Sequence, residues 1–296
     1  QNPSGAAVGD FNGDGNQDLA VTADNPDRVL VFSGNGQGGF TPATGFLTGA
    51  GTGAGTIAAA DFDGNGTTDL AVALQNTNDV RVWFNNAGVW TAGWVASVGT
   101  NPRGLRVTEL DGDGRPDLIL VGRDDNSLRV LINSGGGFGV SSGSVGTDPR
   151  AVAEGDFDGD GDLDLAIVNH DDRTFMIAEN NGGSFSVIAT FPTNPNNRPS
   201  GVDAGDLDGD GDIDLAISNG NLVSRHINIG GGQFGPRFDM VSGGANPGEV
   251  RVLDLDADGD ADIAEAIEDS TTLSTFENLG AGTFGENLTT EGLDLG

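Results

Sequence analysis

Six short stretches of this chain bring acids together at a spacing that suits a metal ion. Numbering the first acid of each stretch as position 1, side-chain oxygens recur at positions 1, 3, 5 and 9. The sets are Asp10, Asn12, Asp14 and Asp18; Asp61, Asp63, Asn65 and Asp69; Glu109, Asp111, Asp113 and Asp117. They continue with Asp156, Asp158, Asp160 and Asp164; Asp206, Asp208, Asp210 and Asp214; Asp254, Asp256, Asp258 and Asp262. Oxygen-only ligation by several carboxylates is the chemistry of Ca²⁺, which accepts six to eight ligands in irregular geometry. A glycine at position 6 permits the positive-φ bend that wraps a loop around an ion. Asp, Asn and Gly also build ordinary tight turns. Four facing acids with no cation between them would, however, repel one another.

The opening Asp-x-Asp-x-Asp-Gly also begins a helix-loop-helix calcium site, which needs a bidentate Glu at position 12. Position 12 here is Val21, Val72, Leu120, Ile167, Ile217 and Glu265, so five of six are apolar strand residues and that reading fails.

The acids imply the elements that must hold them. The stretches start 51, 48, 47, 50 and 48 residues apart, so one unit of about fifty residues repeats six times. Approximate units are 1–50, 51–99, 100–146, 147–196, 197–244 and 245–296, read as one domain, 1–296. A unit opens on an Xaa-Pro turn (Asn2-Pro3, Asn101-Pro102, Asp148-Pro149, Arg198-Pro199, Asn246-Pro247), which the second unit replaces with a glycine-rich stretch. A short strand leads into the acidic loop, and an apolar strand such as Leu165-Ala166-Ile167-Val168 leaves it. A third strand alternates, as in Val29-Leu30-Val31-Phe32. A Gly-Phe-like turn ending on Phe40, Phe138, Phe185, Phe234 or Phe284 opens a fourth. Four short antiparallel strands per unit predict an all-β, six-bladed β-propeller, with part of a seven-bladed ring as the alternative.

Composition narrows the function. A net charge of −32 with 13 Lys and Arg excludes nucleic acid as a partner. No apolar run is long enough to insert in a membrane. There is no cysteine to act as nucleophile, no Gly-x-Ser-x-Gly elbow, and the two histidines, His170 and His226, occupy non-equivalent places.

The sequence Asp-Phe-Asp-Gly-Asp-Gly-x-x-Asp-Leu-Ala, followed by a Gly-Phe turn, resembles the FG-GAP/VCBS repeat, the blade unit of integrin α-subunit propellers and of propeller lectins. The resemblance spans the whole chain. It implies side-chain ligation from positions 1, 3, 5 and 9, and carbonyl ligation from position 7. Position 7 is Asn16, Thr67, Arg115, Asp162, Asp212 and Asp260. Relatives usually form seven blades, and integrin propellers load only some of them; here six units are present and all look competent.

The remaining expectations concern recognition. In a meander of four strands the metal loops share one end of the blade with the Gly-Phe turns. The other end carries loops that vary between copies, and variable loops on a rigid scaffold are where recognition sits. Candidates there are Asp24, Asn25, Asp27 and Arg28; Asn76, Asn78 and Asp79; Arg123, Asp124, Asp125 and Asn126; and His170, Asp171, Asp172 and Arg173. Arg103, Arg150 and Arg198 join them from the turns between units. Trp83 and Trp90 take the places of Phe32 and Phe40 and read as core, whereas Trp94 has no counterpart and reads as a sugar-stacking candidate. The expectation is a monomeric, non-catalytic, calcium-binding module, up to six Ca²⁺ per chain, extracellular, cell-surface or periplasmic, recognising a glycan or a cell-surface or matrix protein. The alternatives are a structural propeller within a larger surface protein, and a polysaccharide-active lyase or hydrolase using His170 or His226.

Overall fold

The computed structural model describes residues 3–23, 26–267, 272–285 and 287–291. All regular structure there is β: six four-stranded antiparallel sheets, each in simple sequence order, the blades of a six-bladed β-propeller. Blade 1 comprises β1 (Pro3–Gly9), β2 (Asp18–Ala23), β3 (Arg28–Gly34) and β4 (Phe40–Leu47). Blade 2 comprises β5 (Ala54–Ala60), β6 (Asp69–Leu74), β7 (Asp79–Asn86) and β8 (Val89–Ser97). Blade 3 comprises β9 (Pro102–Thr108), β10 (Asp117–Gly122), β11 (Ser127–Asn133) and β12 (Phe138–Ser144). These three form one compact unit; a second begins at Val145. It holds blade 4, with β13 (Pro149–Gly155), β14 (Asp164–Asn169), β15 (Thr174–Asn180) and β16 (Phe185–Pro192). Blade 5 follows with β17 (Pro199–Gly205), β18 (Asp214–Asn219), β19 (Leu222–His226) and β20 (Phe238–Val241). Blade 6 has β21 (Pro247–Leu253), β22 (Asp262–Ile267), β23 (Thr272–Phe276) and β24 (Leu288–Glu291).

The strand patterns explain their places. Every residue of β6, β10, β14 and β18 is buried, because a second strand is flanked by sheet on both sides and packed on both faces. Fourth strands such as β4 and β12 are largely exposed. Within each unit, first strands of successive blades pack against one another. Five first strands begin at the proline of the Xaa-Pro turn, and Asn101, Asp148 and Asn246 before it adopt φ near +56° (56, 55 and 58°). The expected fourth strand is displaced in blades 5 and 6. Phe234 and Phe284 make only isolated bridges to Asn228 and Asn278, and β20 and β24 start later. In blade 5, Pro236 lacks the N–H that would continue the ladder.

Blades are joined by two recurring contacts. The apolar residue at loop position 2 sits under the aromatic that precedes or opens the next blade's fourth strand: Phe11 against Trp90 (5.8 Å between centroids), Phe62 against Phe138 (6.1 Å) and Phe157 against Phe234 (6.1 Å). The same position-2 residue then offers its carbonyl to an asparagine of the next blade. Asn85 Nδ2 donates to Phe11 O (2.7 Å), Asn133 to Phe62 O (2.9 Å), Asn228 to Phe157 O (2.8 Å) and Asn278 to Leu207 O (3.1 Å). Asn133 Nδ2 also reaches Pro116 O at 3.2 Å. Removing it leaves two carbonyls without this donor, a loss worth about 1–3 kcal/mol for a buried group. Asn133→Ala should therefore lower the melting temperature by several degrees; an unchanged melt would mean that the clasp carries no stability.

Candidate metal loops and the opposite face

Each acidic loop is built as a ladder of side-chain oxygens holding backbone N–H groups. Asp10 Oδ1 accepts from Gly13 N (2.7 Å) and Asp14 N (3.2 Å), and its Oδ2 accepts from Gly15 N (2.8 Å). Asp61, Asp156, Asp206 and Asp254 repeat the two-oxygen grip on positions 4 and 6. Position 3 then accepts the N–H of position 5, as Asp158 does from Asp160 (3.1 Å), and position 5 accepts that of position 7, as Asp160 does from Asp162 (2.9 Å). The fold requires positive φ at position 4 as well as position 6. Gly159 stands at +82° and Gly161 at +99°, and Ala257 holds position 4 of the sixth loop at +65° despite its Cβ.

Position 9 closes the loop and ties it to the blade. Asp117 Oδ2 accepts from Leu110 N (2.9 Å) at position 2, and Oδ1 accepts from Asn133 N (2.7 Å) at the end of the third strand. Asp18, Asp69, Asp164, Asp214 and Asp262 do the same with their own position 2 and with Gly34, Asn85, Asn180, Asn228 and Asn278. All six are buried. This second role, and the asparagine that shares it, were missed in reading the sequence. The signal was present: Asn recurs at that place in five of six units, with Gly34 in the first.

The acids converge as expected from their spacing. Carboxylate oxygens of Asp61, Asp63 and Asp69 lie within 4.8 Å of one another, as do those of Glu109, Asp111 and Asp117, of Asp156, Asp158 and Asp164, and of Asp206, Asp208 and Asp210. Such clusters could hold a metal ion. The donor set, oxygen alone on hairpin loops, fits a hard divalent cation. Asn12 and Asn65 supply neutral oxygens, and each spends that oxygen on the ladder, holding Asp14 N (2.8 Å) and Thr67 N (2.8 Å). A cleft of about 550 Å³ runs between the second and third loops, lined by Asp61, Asp63, Val107, Glu109, Arg115 and Pro116 among others.

At four of the position-9 residues burial pushes the carboxyl up, and neighbouring loop carboxylates add to the effect while the two backbone N–H bonds oppose it. Asp69, Asp117 and Asp164 are raised to about 6 and Asp214 to about 7. Protons would therefore compete with any cation held in these loops as pH falls through 7 and 6. Divalent-cation uptake should weaken about tenfold or more between pH 8 and pH 5, with proton release on binding near neutrality. PH-independent affinity, measured by titration calorimetry in buffers of different ionisation heat, would contradict this.

At the other strand ends, several predicted recognition residues are occupied in holding turns. Asp27 is buried and accepts from Gly51 N (2.7 Å) and Gly53 N (3.1 Å). Asn76 donates to Gly51 O, Asn78 accepts from Asn101 N, and Asp79 pairs with Arg81. Asp124 accepts from Asn101, and Asp125 pairs with Arg129. Arg103 and Arg123 stand at the same ends of blade 3, and Asn126 and Arg173 adopt φ of +54° and +57°. Asp24 and Asn25 lie outside the described residues.

One constellation does assemble. Arg150 grips Asp148 with two bonds (3.0 and 2.8 Å), His170 Nδ1 lies 3.1 Å from both Asp148 Oδ2 and Asp171 Oδ1, and Arg198 reaches Asp171 at 2.6 Å. Burial and the facing Arg150 hold the His170 imidazole below its usual pKa. His226 is elsewhere: buried edge-on against Phe175 (4.8 Å), and lowered to about 4 by burial. The tryptophans pack. Trp83 is buried, Trp90 lies against Phe11 and Phe46, and Trp94 is half-buried in mid-strand β8, edge-to-face with Phe84 (5.1 Å) and Phe138 (5.5 Å).

The FG-GAP-like repeat family model matches residues 10–72, 61–119, 109–167 and 156–217, more than half of the chain. This chain belongs to the FG-GAP-like repeat proteins. No curated protein matches it. Among solved structures it is similar to a protein from Lactobacillus plantarum (16% identity, 98% of this chain and 85% of that one, TM-score 0.75). It is also similar to virginiamycin B lyase from Staphylococcus aureus (13%, 98% and 84%, 0.65). A third is an Agrocybe aegerita lectin that recognises non-reducing terminal N-acetylglucosamine (20%, 95% and 78%, 0.63). At these identities the likeness is one of fold.

Proposed function

We propose that this chain is a calcium-binding, extracellular, non-catalytic binding module that recognises a glycan or a cell-surface protein through the strand ends opposite its acidic loops. The observation that carries the calcium reading is the sixfold repetition of one oxygen ladder, with at least four of its copies drawing three carboxylates together. In each loop, positions 1, 3, 5 and 9 would hold the ion through side chains, and position 7 through its carbonyl. The ion would supply charge neutralisation and rigidity to the loop; the ladder orients the carboxylates before it arrives. Extracellular calcium modules bind at about 10⁻⁴–10⁻³ M, so loops of that affinity fill outside the cell and stay empty in cytosol.

Recognition at the opposite ends is supported by the Asp148, Arg150, His170, Asp171 and Arg198 constellation. It places donors and acceptors in a fixed array suited to hydroxyls or polar protein groups. The lectin among the structural neighbours lends a glycan the first trial. The enzyme alternative has less support. His226 is sealed in the core, which leaves His170 as the histidine with access to a substrate.

Retention on a glycan array and on cell-surface extracts, in calcium, is the test. Binding should be lost in Arg150→Ala/His170→Ala with the calcium content unchanged. Binding that survives this double change would move the site elsewhere, and no binding to glycan or protein would leave a purely structural propeller.

A further inference from the structure

Loop 3 differs from its neighbours at position 7. Loops 4, 5 and 6 carry Asp162, Asp212 and Asp260 there, whereas loop 3 carries Arg115. The chain turns the Arg115 side chain back onto its own loop: Nη1 lies 2.6 Å from Asp113 Oδ2 at position 5. The turn after β11 makes room for it, since a Cβ on Gly135 would stand 3.2 Å from Arg115 Nε. The first ligand is altered too. Glu109 gathers Asp111 N, Gly112 N and Asp113 N onto Oε1 alone, where the aspartates of the other loops spread their donors over both oxygens. Loop 3 thus holds four carboxylates and a resident guanidinium, while loops 4 to 6 hold five carboxylates each. The guanidinium also borders the cleft of about 550 Å³ beside loop 2.

We propose that Arg115 is a built-in counter-cation of loop 3: it competes with calcium for Asp113, sets the loop to fill at higher calcium than loops 4 to 6, and is released into the adjoining cleft when the loop fills. The inference rests on the reading of these loops as calcium sites. Physically, a bound divalent ion on Asp113 both takes the oxygen that Arg115 holds and repels the guanidinium. The released group shares that cleft with Asp61 and Asp63 of loop 2, so a positive group becomes available there only above a calcium threshold.

Stepwise calcium binding, followed by titration calorimetry with elemental analysis, tests this on the intact chain. Asp113→Asn should remove one weak step and leave the tight ones. Arg115→Ala should tighten that step about two- to fivefold, the worth of an exposed ion pair, and Arg115→Asp should tighten it further. Arg129→Ala, which breaks the ion pair with Asp125 at the other end of blade 3, should change nothing. Modification of Arg115 by phenylglyoxal, read by peptide mass spectrometry, should accelerate when calcium is added. Normal stepwise binding in Arg115→Ala and Arg115→Asp, loss of a tight step in Asp113→Asn, or Arg115 reactivity indifferent to calcium would each overturn the proposal while leaving the calcium sites standing. No calcium bound by the unaltered chain would overturn both.

Discussion

The carboxylate at position 9 of each loop carries two demands that pull against each other. It is buried, and burial disfavours its charge. Yet its two oxygens bridge the loop entrance and the end of the third strand, and its acidic neighbours face the same point. A cation placed there satisfies both demands: it neutralises the facing charges and leaves the backbone bonds in place. The rest of the blade follows from that bridge. Once position 2 is held by the aspartate, its side chain is aimed at the next blade's aromatic and its carbonyl at the next blade's asparagine. The acidic loop and the joint between blades are thus one piece of structure, made by neighbouring residues of the same loop.

Much of this was legible in the residues themselves. The period, the largely apolar second strands and the turn glycines all follow from local rules of strand and turn chemistry, and those rules operate within a few residues. The parts that were not legible depend on distance. Asn133 is buried because Phe62, in another blade, needs a donor, and nothing near Asn133 in the chain says so. Trp94 has no counterpart in the repeat and looked available; Phe84 and Phe138 flank it in space. Asp27 looked like a variable-loop acid and instead holds the backbone that leads into the next blade. The late start of β20 could have been found from Pro236, which breaks the ladder by a local rule.

Recognition sits more loosely on this frame than the acidic loops do. The sixth unit shows how freely a blade can vary: Glu265 replaces an apolar residue, is fully buried against Ser242, and is pushed up to about 7 by that burial. The loops that differ between copies vary more still, and one of them, around His170, brings acids, arginines and an imidazole into a fixed array. The structural neighbours, a lyase and a lectin among them, show a similar fold serving different functions.

The claim on which the account stands is that the loops are ion sites and not merely turns. Melting the chain with calcium and with excess chelator, alongside the count of bound calcium, tests it directly. An ion that binds the folded chain alone stabilises it by mass action, about 2.7 kcal/mol for each site at a hundred times its dissociation constant. The account predicts a melting temperature raised by many degrees in calcium, with several ions per chain and at most six. A melt indifferent to chelator, with no metal bound, would contradict it and reduce the acidic ladders to hairpin turns.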